Sequence, residues 1–317
     1  MPETTYAQAA MDAVSEEMRR DKKVLYMSTD VVPLMQKEFG ADRVKTTPIS
    51  ETGFVGAAVG LAGAGFRPII NVRMATFMFV AMDQFVNQAA KITYMFGGQA
   101  RFPIVYRFSV GAGTSMAAQH CISPYSMFMN TPGLKIVLPS TPYDMKGLLK
   151  TAIRDNNPVM VFEHTLLGPV VEEVPLEDYV VPLGQAAVRR QGKDVTVVGL
   201  AKMNHEALAV AEDLSNRGVS VEVIDPRTLV PLDKATILAS VRKTGRLVVV
   251  DEACQTCSAA SEIVTLVAED PQTFKSLKAH PRRVCAPDVP IPYSPPMEQY
   301  VVPNQERIKA AVLEVLK

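Results

Sequence analysis

Short apolar runs of strand length alternate with segments of helical period along almost the whole chain, and this alternation narrows the possible folds more than any other feature. "KVLYMSTD", "FRPIINVRM", "RFPIVYRFSV", "LKIVLPS" and "PVMVFEH" read as strands. Between them lie segments such as "TYAQAAMDAVSEEMRRD", whose apolar residues recur every three or four positions. Strands joined through helices pair in parallel, and a parallel sheet is covered on both faces, so the class is α/β. The pattern stops in "LGPVVEEVPLEDYVVPLGQAAVRRQG", rich in proline and acid with no steady period, which reads as a linker. It resumes with "DVTVVGLA", "NHEALAVAEDLSNRG", "VSVEVIDPRTL", "DKATILASVRKTG" and "RLVVVDEA". At 317 residues the chain is long for one core. Two domains are expected, each a mainly parallel sheet covered by helices: residues 1–185, including the start of the linker, and 186–317.

Charge and hydropathy limit the partners. Thirty-three basic residues balance thirty-three acidic ones, so no electrostatic footprint for nucleic acid or an anionic membrane is visible. The N-terminus lacks a basic head followed by an apolar run, and no uncharged apolar stretch reaches about 18 residues. A soluble, cytoplasmic protein is expected. Four cysteines in this length do not make a secreted disulfide framework.

The segment "SETGFVGAAVGLAGAG" asks for a chemical explanation. Its glycines, at 53, 56, 60, 63 and 65, match neither the dinucleotide fingerprint nor the nucleoside-triphosphate loop. What remains is a helix with a nearly bare face and one carboxylate, Glu51, in its first turn. Ser50 and Glu51 together also look like an ordinary N-cap and a dipole-compensating acid. His120, in "GTSMAAQHCISPY", follows a strand end and a glycine-rich stretch, where open α/β sheets place ligands, and histidine exchanges protons near neutral pH. His205 opens a helix, while His164 and His280 sit by strand ends or loops with no obvious partner in the local sequence.

Cys254 and Cys257, in "VVVDEACQTCSAASEIV", lie between a strand and a helix, the setting of a redox dithiol. With His280 and Cys285 they also form a weak candidate zinc set. The simpler account is buried small thiols at a tight strand-to-helix turn. "MATFMFVAMDQFVNQAAKITYMF" reads as core or interface.

Several segments, in order and over nearly the whole chain, resemble the β subunit of the thiamine-diphosphate-dependent component of 2-oxo acid and acetoin dehydrogenase complexes. They are "TTPISETGFVGAAVGLAGAGFRPI", "MDQFVNQAAKITYMFGG", "AAQH", "PSTPYDMKGLLKTAIRDNNPVMVFEH", "VIDPRTLVPLD" and "APDVPIPYSPPMEQYVVP". "YMFGG", "STPYD" and "DEACQTCSAASEI" are most similar to the acetoin branch. The resemblance implies a pyrimidine-binding domain followed by a transketolase C-terminal domain. It implies that Glu51 hydrogen-bonds the aminopyrimidine ring nitrogen of thiamine diphosphate, favouring the tautomer that takes the thiazolium proton. It implies an apolar contact to the cofactor from Ile49, ring stacking by Phe77, and a proton from His120 during acyl transfer to a lipoyl group. It further implies a structural potassium ion at the Ala152 carbonyl, Asp155 and Asn157; oxygen ligands suit a hard cation, but "KTAIRDNNP" is equally a helix stop.

The family's Gly-Asp-Gly motif for diphosphate and magnesium is absent from this chain. The resemblance therefore implies that an α subunit holds the Mg2+ and completes the site in an α2β2 heterotetramer, which serves a lipoyl-bearing acyltransferase core and a small oxo substrate. Three departures bear on substrate identity and carrier docking: a short "STDVVPLMQKEFGADRV", Arg73 beside the cofactor strand, and "EHTLLGPVVEEVP" without the usual Leu-Tyr. The alternatives are the C-terminal subunit of a split transketolase, against which "AAQH" and "PIPYSPP" argue, and a redox protein using Cys254 and Cys257.

Overall fold

The helix Tyr6–Arg20 shows how the sequence makes its elements. Thr5 caps it, its side chain accepting from the Gln8 N–H, and Arg19 and Arg20 face the negative end of the helix dipole. Its buried residues, among them Tyr6, Ala10, Val14 and Met18, repeat at helical spacing and pack against the helix Pro142–Arg154. That second helix is capped by Thr141 and begins with Pro142, whose missing N–H costs nothing at a helix start.

The computed structural model describes residues 1–317. They form two compact units. The first comprises Met1–Val110, Met127–Glu163 and Leu167–Leu183; the second comprises Gly111–Ser126, His164–Leu166 and Gly184–Lys317. Two short pieces of the N-terminal stretch, 111–126 and 164–166, thus fall in the second unit.

In the first unit the strands lie in the order Lys135–Val137, Val159–His164, Val105–Val110, Arg67–Met74, Val24–Ser28, Val44–Thr46. Val24–Ser28 is parallel to both Val44–Thr46 and Arg67–Met74, and the latter is parallel to Val105–Val110. The register sets Ser28 opposite Thr46 and opposite Asn71, so the chain segments that follow these residues leave from one edge of the sheet. Inside the sheet Arg107 donates two hydrogen bonds to Glu163, at 2.6 and 2.8 Å, with both side chains largely buried.

The proline-rich segment holds more structure than its composition predicts. Val171–Glu173 pairs antiparallel with Glu3–Thr5, Tyr179 stacks on Tyr143 with centroids 4.5 Å apart, and Asp178 meets Lys150 and Arg154. Asp178 thus serves basic residues of helix Pro142–Arg154, and Glu172 accepts from the Tyr143 N–H at 3.0 Å, which local composition cannot reveal.

In the second unit the order is Arg282–Ala286, Leu247–Cys254, Val195–Gly199, Val221–Asp225, Ala187–Arg190. Only Ala187–Arg190, at the edge, is antiparallel to its neighbour. Its core joins Val195, Val197, Val223, Val248 and Val250 to the helices Lys202–Ser215 and Gln305–Leu316. No helix is long and apolar enough to cross a membrane.

Candidate active site

Glu51 is the first residue of the helix Glu51–Gly63 and the only acid in its first turn. Ser50 does not cap this helix as its sequence position predicts: its side chain makes no cap bond, and its hydroxyl turns back to the Pro48 carbonyl at 3.3 Å. The helix buries Phe54, Val55, Ala58, Val59 and Ala62, while a second face carries Gly53, Ala57 and Gly60 into the open. A Cβ added at Gly60 would meet nothing within 4 Å. At Gly56 it would come within 2.9 Å of the Gln84 side chain, so there the missing Cβ allows close packing.

The structure brings the three residues expected at the cofactor to this one sheet edge. Ile49 precedes the helix and is 84% exposed. Phe77, half-buried, lies on the turn Ala75–Ala81 directly after strand Arg67–Met74. The Thr52 hydroxyl donates to the Val80 carbonyl at 2.6 Å, tying the start of the Glu51 helix to the Phe77 turn. Arg73 sits at a bulge of the same strand with φ +71°, a conformation few side-chain-bearing residues adopt, and donates to Asp30 at 2.6 Å. Asp30 follows strand Val24–Ser28, in the segment whose brevity the sequence showed.

Ala152, Asp155 and Asn157 lie at the opposite edge, where Lys135–Val137 and Val159–His164 begin. They form a helix stop. The Asp155 carboxylate accepts from the Asn157 backbone and side-chain N–H groups at 2.8 and 2.9 Å and pairs with Lys135, while its carbonyl accepts from Arg67 at 2.5 Å. The Ala152 carbonyl accepts from the Asp155 N–H at 3.3 Å. Burial would raise the Asp155 pKa, but Lys135 and the Asn157 bonds outweigh it and hold the group below its ordinary 3.8. The oxygens suit a hard cation, yet the charge that would attract one is already met by Lys135 and Arg67.

His120 belongs to the second unit, half-buried in a turn where its N–H donates to the Ala117 carbonyl at 3.1 Å. Local sequence gave no partner for His164, but it is buried with its Nε2 2.9 Å from Glu252 Oε2. Glu252 Oε1 in turn accepts from the Ala112 N–H at 2.5 Å. The available signal was the acidic pair Asp251–Glu252 closing an otherwise apolar strand. Asp251 is fully buried, accepting from the Tyr125 hydroxyl and from the Ala253 N–H at 3.0 Å, and burial raises its pKa.

Cys254 and Cys257 are not buried as expected: the strand Leu247–Cys254 ends at Cys254, so both thiols lie exposed in the turn beyond it, unbonded to each other. Burial, then the nearby Asp288, pushes the Cys254 thiol up, the reverse of the activation a redox nucleophile needs. Burial pushes Cys285 up to about 12. No three His, Cys, Asp or Glu side chains cluster in metal-ligating geometry.

Comparison with known proteins adds the lineage. Residues 3–170 match the description "Transketolase, pyrimidine binding domain", and residues 184–308 match "Transketolase, C-terminal domain". The chain is 44% identical to the acetoin:2,6-dichlorophenolindophenol oxidoreductase subunit beta of Cupriavidus necator, over 98% of this chain and 96% of that one. It is 39% identical to the 2-oxoisovalerate dehydrogenase subunit beta of Bacillus subtilis, over 98% of each, and 39% identical to the pyruvate dehydrogenase E1 component subunit beta of the same organism, over 100% of each. A split gene transketolase, solved as an inactive beta4 tetramer, shares the fold with a TM-score of 0.82 at 21% identity, over 98% of this chain and 97% of that one.

Proposed function

We propose that this chain, which belongs to the family of acetoin and 2-oxo acid dehydrogenase E1 β subunits, works with an α subunit to cleave the bond beside a substrate carbonyl and pass the acyl group to a lipoyl carrier. The observation that carries the site assignment is a lone carboxylate, Glu51, heading a helix whose open face is almost free of side chains, with Ile49 exposed beside it.

The residues fit the pyrimidine end of thiamine diphosphate. An aminopyrimidine needs a carboxyl against its ring nitrogen, apolar contacts for its faces and room for the ring, and Glu51, Ile49, Phe77 and the bare helix face supply these. When bound, the cofactor supplies an acidic carbon and an electron sink for the breaking bond. Glu51 Oε shares a proton with the ring nitrogen. Ile49 and Phe77 orient the ring and exclude water. An imidazole N–H of His120 delivers the proton that acyl transfer requires. The diphosphate and its Mg2+ fall to the α subunit, because this chain has no Gly-Asp-Gly. A potassium ion at Ala152, Asp155 and Asn157 would only pin the helix stop, and a Tm that depends on K+ over Na+ detects it.

A split transketolase is not favoured, since the dehydrogenase relatives share about twice the identity. The test is reconstitution. The purified chain should show no thiamine-dependent turnover alone, and adding an α subunit should restore acyl transfer to lipoamide. Full activity of the isolated chain, or ketol transfer to an aldose in place of acyl transfer, overturns the proposal.

A further inference from the structure

We propose that Glu298 is a positioning residue: buried beneath the loop that carries His120, its carboxylate sets where that histidine delivers its proton. The proposal rests on the acyl-transfer role of His120 proposed above.

The loop Gly111–Ile122 contains no strand or helix and has little intrinsic reason to keep one shape. Gly111, Gly113, Ser115 and Ala117 all hold positive φ, at 96, 101, 53 and 61°, and for Ser115 and Ala117 that conformation is unfavourable without outside support. Glu298 provides the support from the helix Pro295–Val301. It is 2% exposed, and its Oε1 accepts from the Gly113 N–H at 2.8 Å and the Ser115 N–H at 3.3 Å. Its Oε2 accepts from the Ser115 N–H at 3.0 Å and the Ser115 hydroxyl at 3.2 Å. Charge-assisted bonds to backbone N–H groups are the strong ones, and here both oxygens are used.

The path from this anchor to His120 is short. Two residues after Ser115, the Ala117 carbonyl accepts from the N–H groups of both His120 and Cys121, at 3.1 and 3.0 Å. Cys121, next to His120, packs with Ala112 against Ile291 and Val301, so the helix bearing Glu298 also grips the far end of the loop. Glu252 holds the near end through the Ala112 N–H, and Gly111 passes so close to His164 that an added Cβ would lie 2.2 Å from its Nε2. Glu298 thus holds the middle of a loop already clamped at both ends.

A cleft of about 410 Å³ adjoins Glu298, Gly113 and Ala112. Water entering there can satisfy the loop N–H groups when the carboxylate is lost. Glu298→Gln is therefore expected to loosen the loop without unfolding the chain. The retained amide oxygen keeps part of the contact, and the NH2 group faces donors it cannot accept from.

The experiment uses the assembled α/β protein and two acceptors. Lipoamide transfer needs the His120 proton; ferricyanide takes electrons alone and does not. Glu298→Gln should slow lipoamide transfer by about 10- to 100-fold, the scale of a misplaced catalytic group, and leave ferricyanide turnover near wild type. The double variant Glu298→Gln, His120→Ala should be no slower than His120→Ala alone. Hydrogen exchange at the Gly113 and Ser115 amides should rise in Glu298→Gln, independently of activity. If Glu298→Gln does not fold, Ser115→Ala removes one donor and should show a smaller loss of the same kind. Equal loss with both acceptors, an equal further loss in the His120→Ala background, or wild-type lipoamide transfer overturns the inference. Wild-type transfer by His120→Ala alone overturns the histidine reading itself, and the inference with it.

Discussion

Replacing Glu51 by glutamine keeps the size of the side chain and one hydrogen-bonding oxygen while removing the proton-sharing carboxyl. Two consequences can be separated by magnitude. As the only acid in the first turn of its helix, Glu51 meets the helix dipole, and Ser50 contributes no side-chain cap that could mask its loss. That contribution is about 0.3–1 kcal/mol for a surface site, which for a unit of this size shifts Tm by at most roughly 4 °C. Loss of a positioned proton-sharing group costs about 100- to 10,000-fold in rate. The assay is exchange of the thiazolium proton with deuterium in the reconstituted complex, read by mixing with heavy water and quenching the bound cofactor. Exchange should collapse and turnover with it, while assembly and cofactor retention persist on the proposal that the α subunit holds the diphosphate. A small Tm shift with unchanged exchange in an assembled complex would refute the reasoning and leave Glu51 as a dipole-compensating acid.

Other perturbations test the scaffold and the rejected alternative. Arg107→Met leaves Glu163 without its largely buried partner and should cost about 3–5 kcal/mol in urea melts, a loss that Glu163→Leu in the same chain largely restores; an Arg107→Met chain as stable as wild type contradicts it. Converting Cys254 and Cys257 together to serine should leave lipoamide transfer unchanged, and a lost activity would revive the dithiol reading. The Asp155 pKa is lowered on folding, so its stabilisation is complete above the ordinary value of 3.8 and disappears as pH falls through the lower folded value. Asp155→Asn should accordingly flatten the acid limb of the stability profile, and an unaltered limb places the acid sensitivity elsewhere.

The alternation of strands and helices is a local signal, since each strand and helix is defined by its own hydrophobic period, and so the two mainly parallel sheets were legible without coordinates. Glu51 was equally legible: a lone acid at the head of a glycine-rich helix needs no distant residue to be noticed. The long-range partners were not. His164 meets Glu252 across 88 positions, and Glu298 holds Ser115 across 183. Ser50 had the right residue type for a cap, but its hydroxyl found the Pro48 carbonyl instead. The segment after Leu167 looked like a bare linker because Asp178 and Tyr179 find their partners, Lys150, Arg154 and Tyr143, on the helix Pro142–Arg154. Sequence by itself determined the class of fold and the chemical type of the groups at the sheet edge, because propensity and period act over a few residues. Tertiary structure decided which carboxylate holds which loop, because a buried charge takes whatever donors folding brings within about 3 Å, however far along the chain they lie.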